Sequence, residues 1–107
     1  MIRKRVKITV FKRVDPEVIF DGEIPIAPTG KKYEKCSVFE EGQEFIVEKD
    51  LRIPEGFCSW AWRDIYKDVS VLAHGGDYYD WVDKGKSYTC CTDGIRPVSF
   101  LLERIDE

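Results

Sequence analysis

Apolar and polar side chains alternate from the start of the chain. Val6, Ile8 and Val10 fall between Arg5, Lys7 and Thr9. A period of two marks a strand with one buried and one wet face, and it predicts a strand over about residues 4–12. Asp15-Pro16 ends that strand or opens a turn. Residues 17–35 carry no period. Val18-Ile19-Phe20 is apolar and Asp21-Gly22 signals a turn. Ile24-Pro25-Ile26-Ala27-Pro28 must be extended, because proline fixes its own φ and restricts the residue before it. Thr29-Gly30-Lys31-Lys32 reads as an exposed loop. After the Glu41-Gly42 turn the alternation resumes over residues 43–48, with Phe45 and Val47 on one face and Ile46 on the other. Pro54-Glu55-Gly56 then breaks the chain.

The period changes to that of a helix over residues 59–73. At about 100° per residue, Ala61, Trp62, Ile65, Val69, Leu72 and Ala73 share one sector, with Arg63, Asp64 and Lys67 opposite. Ser59 is the expected N-cap, and Gly75 the expected stop. Trp60 falls outside the apolar sector, on the side of Asp64, Lys67 and Val71. An indole turned to solvent is a frequent interface anchor. Gly75-Gly76-Asp77 opens a loop carrying Tyr78, Tyr79 and Trp81. Residues 88–92 then read as a strand. Asp93-Gly94 predicts a type I′ hairpin turn, with φ above zero at both central positions. The return strand covers 97–105, with Val98, Phe100 and Leu102 on one face. Pro97 cannot donate to a ladder, so it stands at a sheet edge or beyond the pairing. These elements predict an α+β fold: a small, mostly antiparallel sheet, flat or barrel-like, packed on one main helix.

Composition narrows the setting. The 107 residues fit one compact domain, 1–107, and are 43% hydrophobic and 13% aromatic. The charged fraction is 35% but the net charge is only -3, which argues against disorder. No apolar run is longer than three residues, so no helix spans a bilayer. The basic N-terminus lacks the apolar stretch of a signal peptide, and a soluble, cytoplasmic protein is expected. Arg3, Lys4, Arg5, Lys7, Lys12 and Arg13 stand together with no acid among the first thirteen residues. The strand pattern assigns them to a solvated face, and a pI near 5.3 argues against nucleic-acid binding.

The candidate chemistry lies in four cysteines, Cys36, Cys58, Cys90 and Cys91, none in C-x-x-C spacing. Free cysteines are commonly small buried hydrophobes. All four nevertheless stand near element ends, where a fold can gather them. Cys58, at a helix entrance, is the best placed for reactivity, since the macrodipole favours a thiolate there. Four thiolates could hold zinc or an iron–sulfur cluster. On a regular strand, however, Cys90 and Cys91 point to opposite faces, so one thiol is expected inward and one outward. His74, the only histidine, suits a helix C-terminus. It would stand roughly 24 Å from Cys58 at the other end of the helix. Asp93 and Arg96 flank one turn, either as a local ion pair or with Arg96 as a fork for carboxylate or phosphate. No phosphate-binding glycine loop and no G-x-S-x-G is present. Glu40-Glu41, and Glu103 with Asp106, read as solvated positions.

Three stretches carry a resemblance. They are Lys35-Cys36 with Phe39 and Glu41-Gly42-Gln43-Glu44-Phe45; Pro54-Glu55-Gly56-Phe57-Cys58-Ser59-Trp60-Ala61-Trp62; and Cys90-Cys91-Thr92-Asp93-Gly94-Ile95-Arg96-Pro97-Val98 with Phe100 and Leu102-Glu103. Together they resemble a family of small prokaryotic proteins, over most of the chain from Val6 to Ile105. Members often carry proline where Ser37 stands, a difference that bears on the local turn more than on the thiol. The resemblance implies a bacterial or archaeal cytoplasmic origin and brings no activity, substrate or cofactor. The residues themselves point to a module binding a small molecule or a partner protein at a helix-entrance pocket of Cys58, Trp60, Cys90, Cys91, Asp93 and Arg96. The alternatives are a thiol-based redox protein or enzyme using Cys58 or Cys91, and a metal or iron–sulfur protein using Cys36, Cys58, Cys90 and Cys91. A homo-oligomer through Trp60 stays open.

Overall fold

A computed structural model describes residues 2–106. The strands are β1 (Arg5–Arg13), β2 (Glu44–Val47), β3 (Lys86–Cys90) and β4 (Val98–Ile105), and the helices are α1 (Pro16–Ile19) and α2 (Ser59–Ala73). The strands form one antiparallel sheet in the order β2-β1-β4-β3, open at both edges and not closed into a barrel. This is an α+β fold with one main helix on one face of the sheet.

The alternation read from the sequence selects that face. Val6, Ile8 and Val10 of β1, Val47 of β2, and Val98, Phe100 and Leu102 of β4 are buried, and Ala61, Ile65, Val69, Leu72 and Ala73 of α2 cover them. Arg5 and Lys7 point to the other face, whereas Arg13, opposite Val98 after a register shift in β1, lies on the core side; all three meet carboxylates. Lys7 reaches Glu44 at 3.8 Å and Glu103 at 3.7 Å, Arg5 approaches Glu48 at 4.0 Å, and Arg13 holds Glu41 at 3.0 Å. Phe11 faces outward by the same alternation, and its ring meets Tyr88 edge to face at 6.1 Å; the register shift between Val10 and Lys12 then sets Lys12 opposite Ser99 and Arg13 opposite Val98.

The C-terminal end of α2 is closed by several groups. His74 is the C-cap, and its Nδ1 donates to the Ser70 carbonyl at 2.8 Å. Gly75 takes φ +87°, and the N–H groups of Gly75 and Gly76 return to the Leu72 and Val71 carbonyls at 3.0 and 2.8 Å. That is a Schellman closure, which needs glycine's left-handed freedom at Gly75. Arg104 of β4 adds a guanidinium that donates to the Gly76 carbonyl at 2.8 Å and to Asp77 at 3.0 Å.

Several sequence expectations shift. The strand expected at 88–92 lies at Lys86–Cys90, so Cys91 stands past its end. The N-cap of α2 is Cys58 rather than Ser59, and no side chain caps the first turn. The expected type I′ turn at Asp93-Gly94 is absent, since neither residue has positive φ. The connection instead runs over 91–97 and is shaped by the Asp93 carboxylate, whose Oδ1 accepts from the N–H groups of Ile95 at 2.9 Å and Arg96 at 3.1 Å. Where a side chain supplies the turn's acceptor, the left-handed backbone of a two-residue hairpin is not needed. In the unpatterned region, Asp15 caps the single turn of α1 by accepting from Glu17 N–H at 2.9 Å. Ile26 pairs with Lys32 in an isolated bridge.

Candidate functional site

The site forms where three separated segments meet at the entrance of α2. Phe57 is pinned into the core beside Phe39 and Phe100, with ring centroids 5.0 and 5.5 Å away. Cys58 therefore enters the helix at a fixed point, and Trp60, one position into the first turn, faces out at 69% exposure. Phe39 is buried among Phe45, Phe57 and Phe100, which draws the preceding residues Cys36 and Val38 toward the same place. Arg13 fixes this segment from β1, donating to the Cys36 carbonyl at 3.1 Å and from Nε to Glu41 at 3.0 Å. The third segment is the 91–97 connection. Asp64 of α2 anchors it by accepting from Thr92 N–H at 2.8 Å and Thr92 Oγ1 at 3.0 Å.

Between the three lies a cleft of about 490 Å³. Its walls include Cys36, Val38, Cys58, Trp60, Cys91, Asp93, Ile95 and Arg96. Of the six residues expected to share a pocket, Cys58, Trp60, Cys91, Asp93 and Arg96 line it. Cys90 does not; it ends β3 opposite Ser99 and is exposed. Its neighbour Cys91 turns into the cleft and is half-buried. Cys36 joins the thiols of the cleft, but with Cys90 outside it the four cysteines do not converge. Among the described residues no three His, Cys, Asp or Glu side chains are grouped so as to hold a metal ion.

The electrostatics are local. Burial pushes the Cys91 thiol up, against hydrogen bonds from the Asp93 and Val98 N–H groups. The Val98 N–H donates to Cys91 Sγ at 3.2 Å. Burial also opposes ionisation of Asp93, but the Ile95 and Arg96 N–H groups and the Arg96 guanidinium outweigh it and hold the carboxyl below its ordinary value. Arg96 Nε is 3.3 Å from Asp93 Oδ2, so the local ion pair forms on the cleft wall. Val38, Ile95 and the Asp64–Thr92 clamp were not signalled by the sequence. Val38 carries only the weak cue of an apolar residue beside Phe39, and the clamp joins residues 28 positions apart.

No family model, curated protein or solved structure matches the chain. No helix among the described residues is long and apolar enough to cross a membrane.

Proposed function

We propose that the protein is a small binding module whose ligand occupies the cleft at the entrance of α2. The ligand class is a compact aromatic or apolar molecule with an acidic group. Its flat part lies against Trp60, Val38 and Ile95, and its acid faces the guanidinium edge of Arg96 that Asp93 leaves free. One observation carries this reading. An indole 69% exposed stands at the mouth of a cleft of about 490 Å³ whose walls mix apolar side chains with a few polar groups. That volume and lining are typical of small-molecule sites. The motif resemblance supports a prokaryotic, cytoplasmic setting for it.

Calorimetric titration with 2-naphthoate, an unreactive aromatic acid, tests the assignment on the native protein, Trp60→Ala and Arg96→Met. The native protein should give saturable one-to-one heat. Each substitution should weaken binding at least about tenfold, equivalent to about 1.4 kcal/mol. Equal binding by all three proteins, or none by the native one, would remove the ligand from this cleft.

A further inference from the structure

The segment that follows β1 stands apart from the rest of the chain. Its helix α1 packs on none of the strands and not on α2. The root of this arm is fixed: Val14 N–H donates to the Pro97 carbonyl at 2.8 Å, and Pro16 is buried. Beyond it, among the described residues, the hydrogen bonds of 15–32 stay inside the arm, such as Phe20 N–H to the Pro16 carbonyl at 3.0 Å and Ala27 N–H to the Lys31 carbonyl at 3.2 Å. The radius of gyration is 15.4 Å, against roughly 13 Å for a compact domain of this length, and the long axis is 51 Å. Those dimensions fit a body with a projecting segment. The arm exposes Val18 and Ile26 at 69% and 66%, with Ile19 beside Val18. Asp15, Glu17, Asp21 and Glu23 accompany them and enter no ion pair among the described residues; Lys31, Lys32 and Lys35 lie on the returning limb. A second surface is also uncovered, the face of the sheet away from α2. Phe11 and Tyr88 stand there, 60% and 51% exposed, beside Leu101, which pairs with Thr9 and Tyr88. Lys12 shares that face and makes no ion pair among the described residues, whereas Glu44 and Glu103, further along it, are held by Lys7.

We propose that the arm of one copy docks on the open sheet face of a second copy, and that the second arm returns the contact in a two-fold dimer. Val18, Ile19 and Ile26 lie on Phe11, Leu101 and Tyr88 of the other chain, and the carboxylates around α1 face its Lys12. Phe11 and Lys12 immediately precede the arm, so a two-fold axis beside them sets each arm against the other copy's sheet. Covering Val18, Ile19, Ile26, Phe11 and Tyr88 removes roughly 600 Å² of exposed side chain per copy and roughly 1,200 Å² for the pair, the lower limit of a specific interface. Charge selects this arrangement over the other two. Pairing α1 with α1 would set four carboxylates against four, and pairing sheet with sheet would set Lys12 against Lys12 and leave Val18 and Ile26 in water. The dimer does not depend on what fills the cleft.

Sedimentation velocity of the native chain, at concentrations up to about 100 μM to reach a dimer of micromolar strength, should show a species of twice 12.5 kDa. An equal mixture of unlabelled and nitrogen-15-labelled chains is then treated with a carbodiimide, which joins carboxylates to amines in contact. Peptides of mixed isotope should link Lys12 to Asp15, Glu17, Asp21 or Glu23. Val18→Ser with Ile26→Ser on the arm, and Lys12→Glu on the sheet, should each raise the dimer dissociation constant at least about tenfold. Trp60→Ala should leave it unaltered. Far-UV circular dichroism checks that the variants fold, and the native mass and cross-links decide without them. A native chain that stays monomeric overturns the dimer and gives the arm to a different partner. Mixed-isotope links from arm to arm, links within one isotope only, a dimer indifferent to the arm substitutions, or one lost in Trp60→Ala would overturn it equally.

Discussion

Asp64→Ala removes a carboxylate that ties the 91–97 connection to α2. The native side chain accepts from Thr92 N–H at 2.8 Å and from Thr92 Oγ1 at 3.0 and 3.1 Å from its two oxygens. Hydrogen bonds to a charged group contribute about 1.5–3 kcal/mol when well buried. Thr92 is exposed and Asp64 half-buried, so water replaces some of what is lost, and about 1–2 kcal/mol is expected for the whole clamp. For a chain of 107 residues that corresponds to a fall in Tm of roughly 4–12 °C. Thr92→Val keeps the N–H and loses only the hydroxyl, and should cost about half as much. The double variant should fall short of the sum of the two by roughly 0.5–1 kcal/mol, because both single changes break the same contact. Urea unfolding monitored by tryptophan fluorescence supplies the stabilities, and hydrogen exchange at the Thr92 amide reports the anchor locally. An unaltered Tm together with unaltered exchange at Thr92 would show that the connection holds its shape without Asp64.

Two further changes test other parts of the structure. Gly76→Ala places a Cβ 2.8 Å from Val71 Cγ1 and 3.0 Å from the Val71 carbonyl oxygen, so the helix closure must shift; thermal melts should show a loss of about 1–3 kcal/mol, and native stability would contradict the packing there. Glu41, held by the Arg13 side chain and N–H, has its carboxyl lowered from 4.5 to about 2. Because the folded value lies below the ordinary one, this contribution to stability is complete above about pH 4.5 and is lost as pH falls toward 2. A carboxyl-carbon NMR titration should place the Glu41 midpoint near 2, and Arg13→Gln should raise it part of the way toward the ordinary glutamate range, because the backbone N–H bonds remain; a native midpoint already in that range would show that the ion pair does not persist in solution.

What could be read from the sequence was what is set by near neighbours. Val6, Ile8 and Val10 alternate because one face of β1 is covered, and the sector from Ala61 to Ala73 repeats because one face of α2 is. The exposure of Trp60 followed from the same arithmetic. Phe39 was silent for the opposite reason: it belongs to no periodic element, yet three other phenylalanines surround it and bring Cys36 to the cleft. The turn at Asp93-Gly94 misled because the dipeptide is read as backbone conformation. Here the Asp93 carboxylate takes the N–H groups of Ile95 and Arg96, and this also lengthens the connection enough for Cys91 to leave the strand. Cys90 and Cys91 were thus separated by the end of β3 as well as by strand alternation.

The two ends of α2 explain why the cleft lies where it does. At the C-terminal end the backbone carbonyls are taken in succession: Ala73 by Lys4 N–H at 2.8 Å, Leu72 and Val71 by the two glycine N–H groups, and Gly76 by Arg104. With these acceptors committed, that end is a closed structural joint. At the N-terminal end the cap is a cysteine with no hydrogen bond from its side chain, and no acid stands in the first turn. A serine or aspartate at position 58 would be the usual stabilising choice, contributing about 1 kcal/mol. Cys58 forgoes that and lines the cleft with Trp60 beside it. Cys58→Asp therefore separates the two demands. If it raises Tm while reducing 2-naphthoate affinity, stability has been given up at this end for the cleft. If it raises Tm with affinity unchanged, Cys58 is only a poor cap and the ligand contacts lie with Trp60 and Arg96 alone.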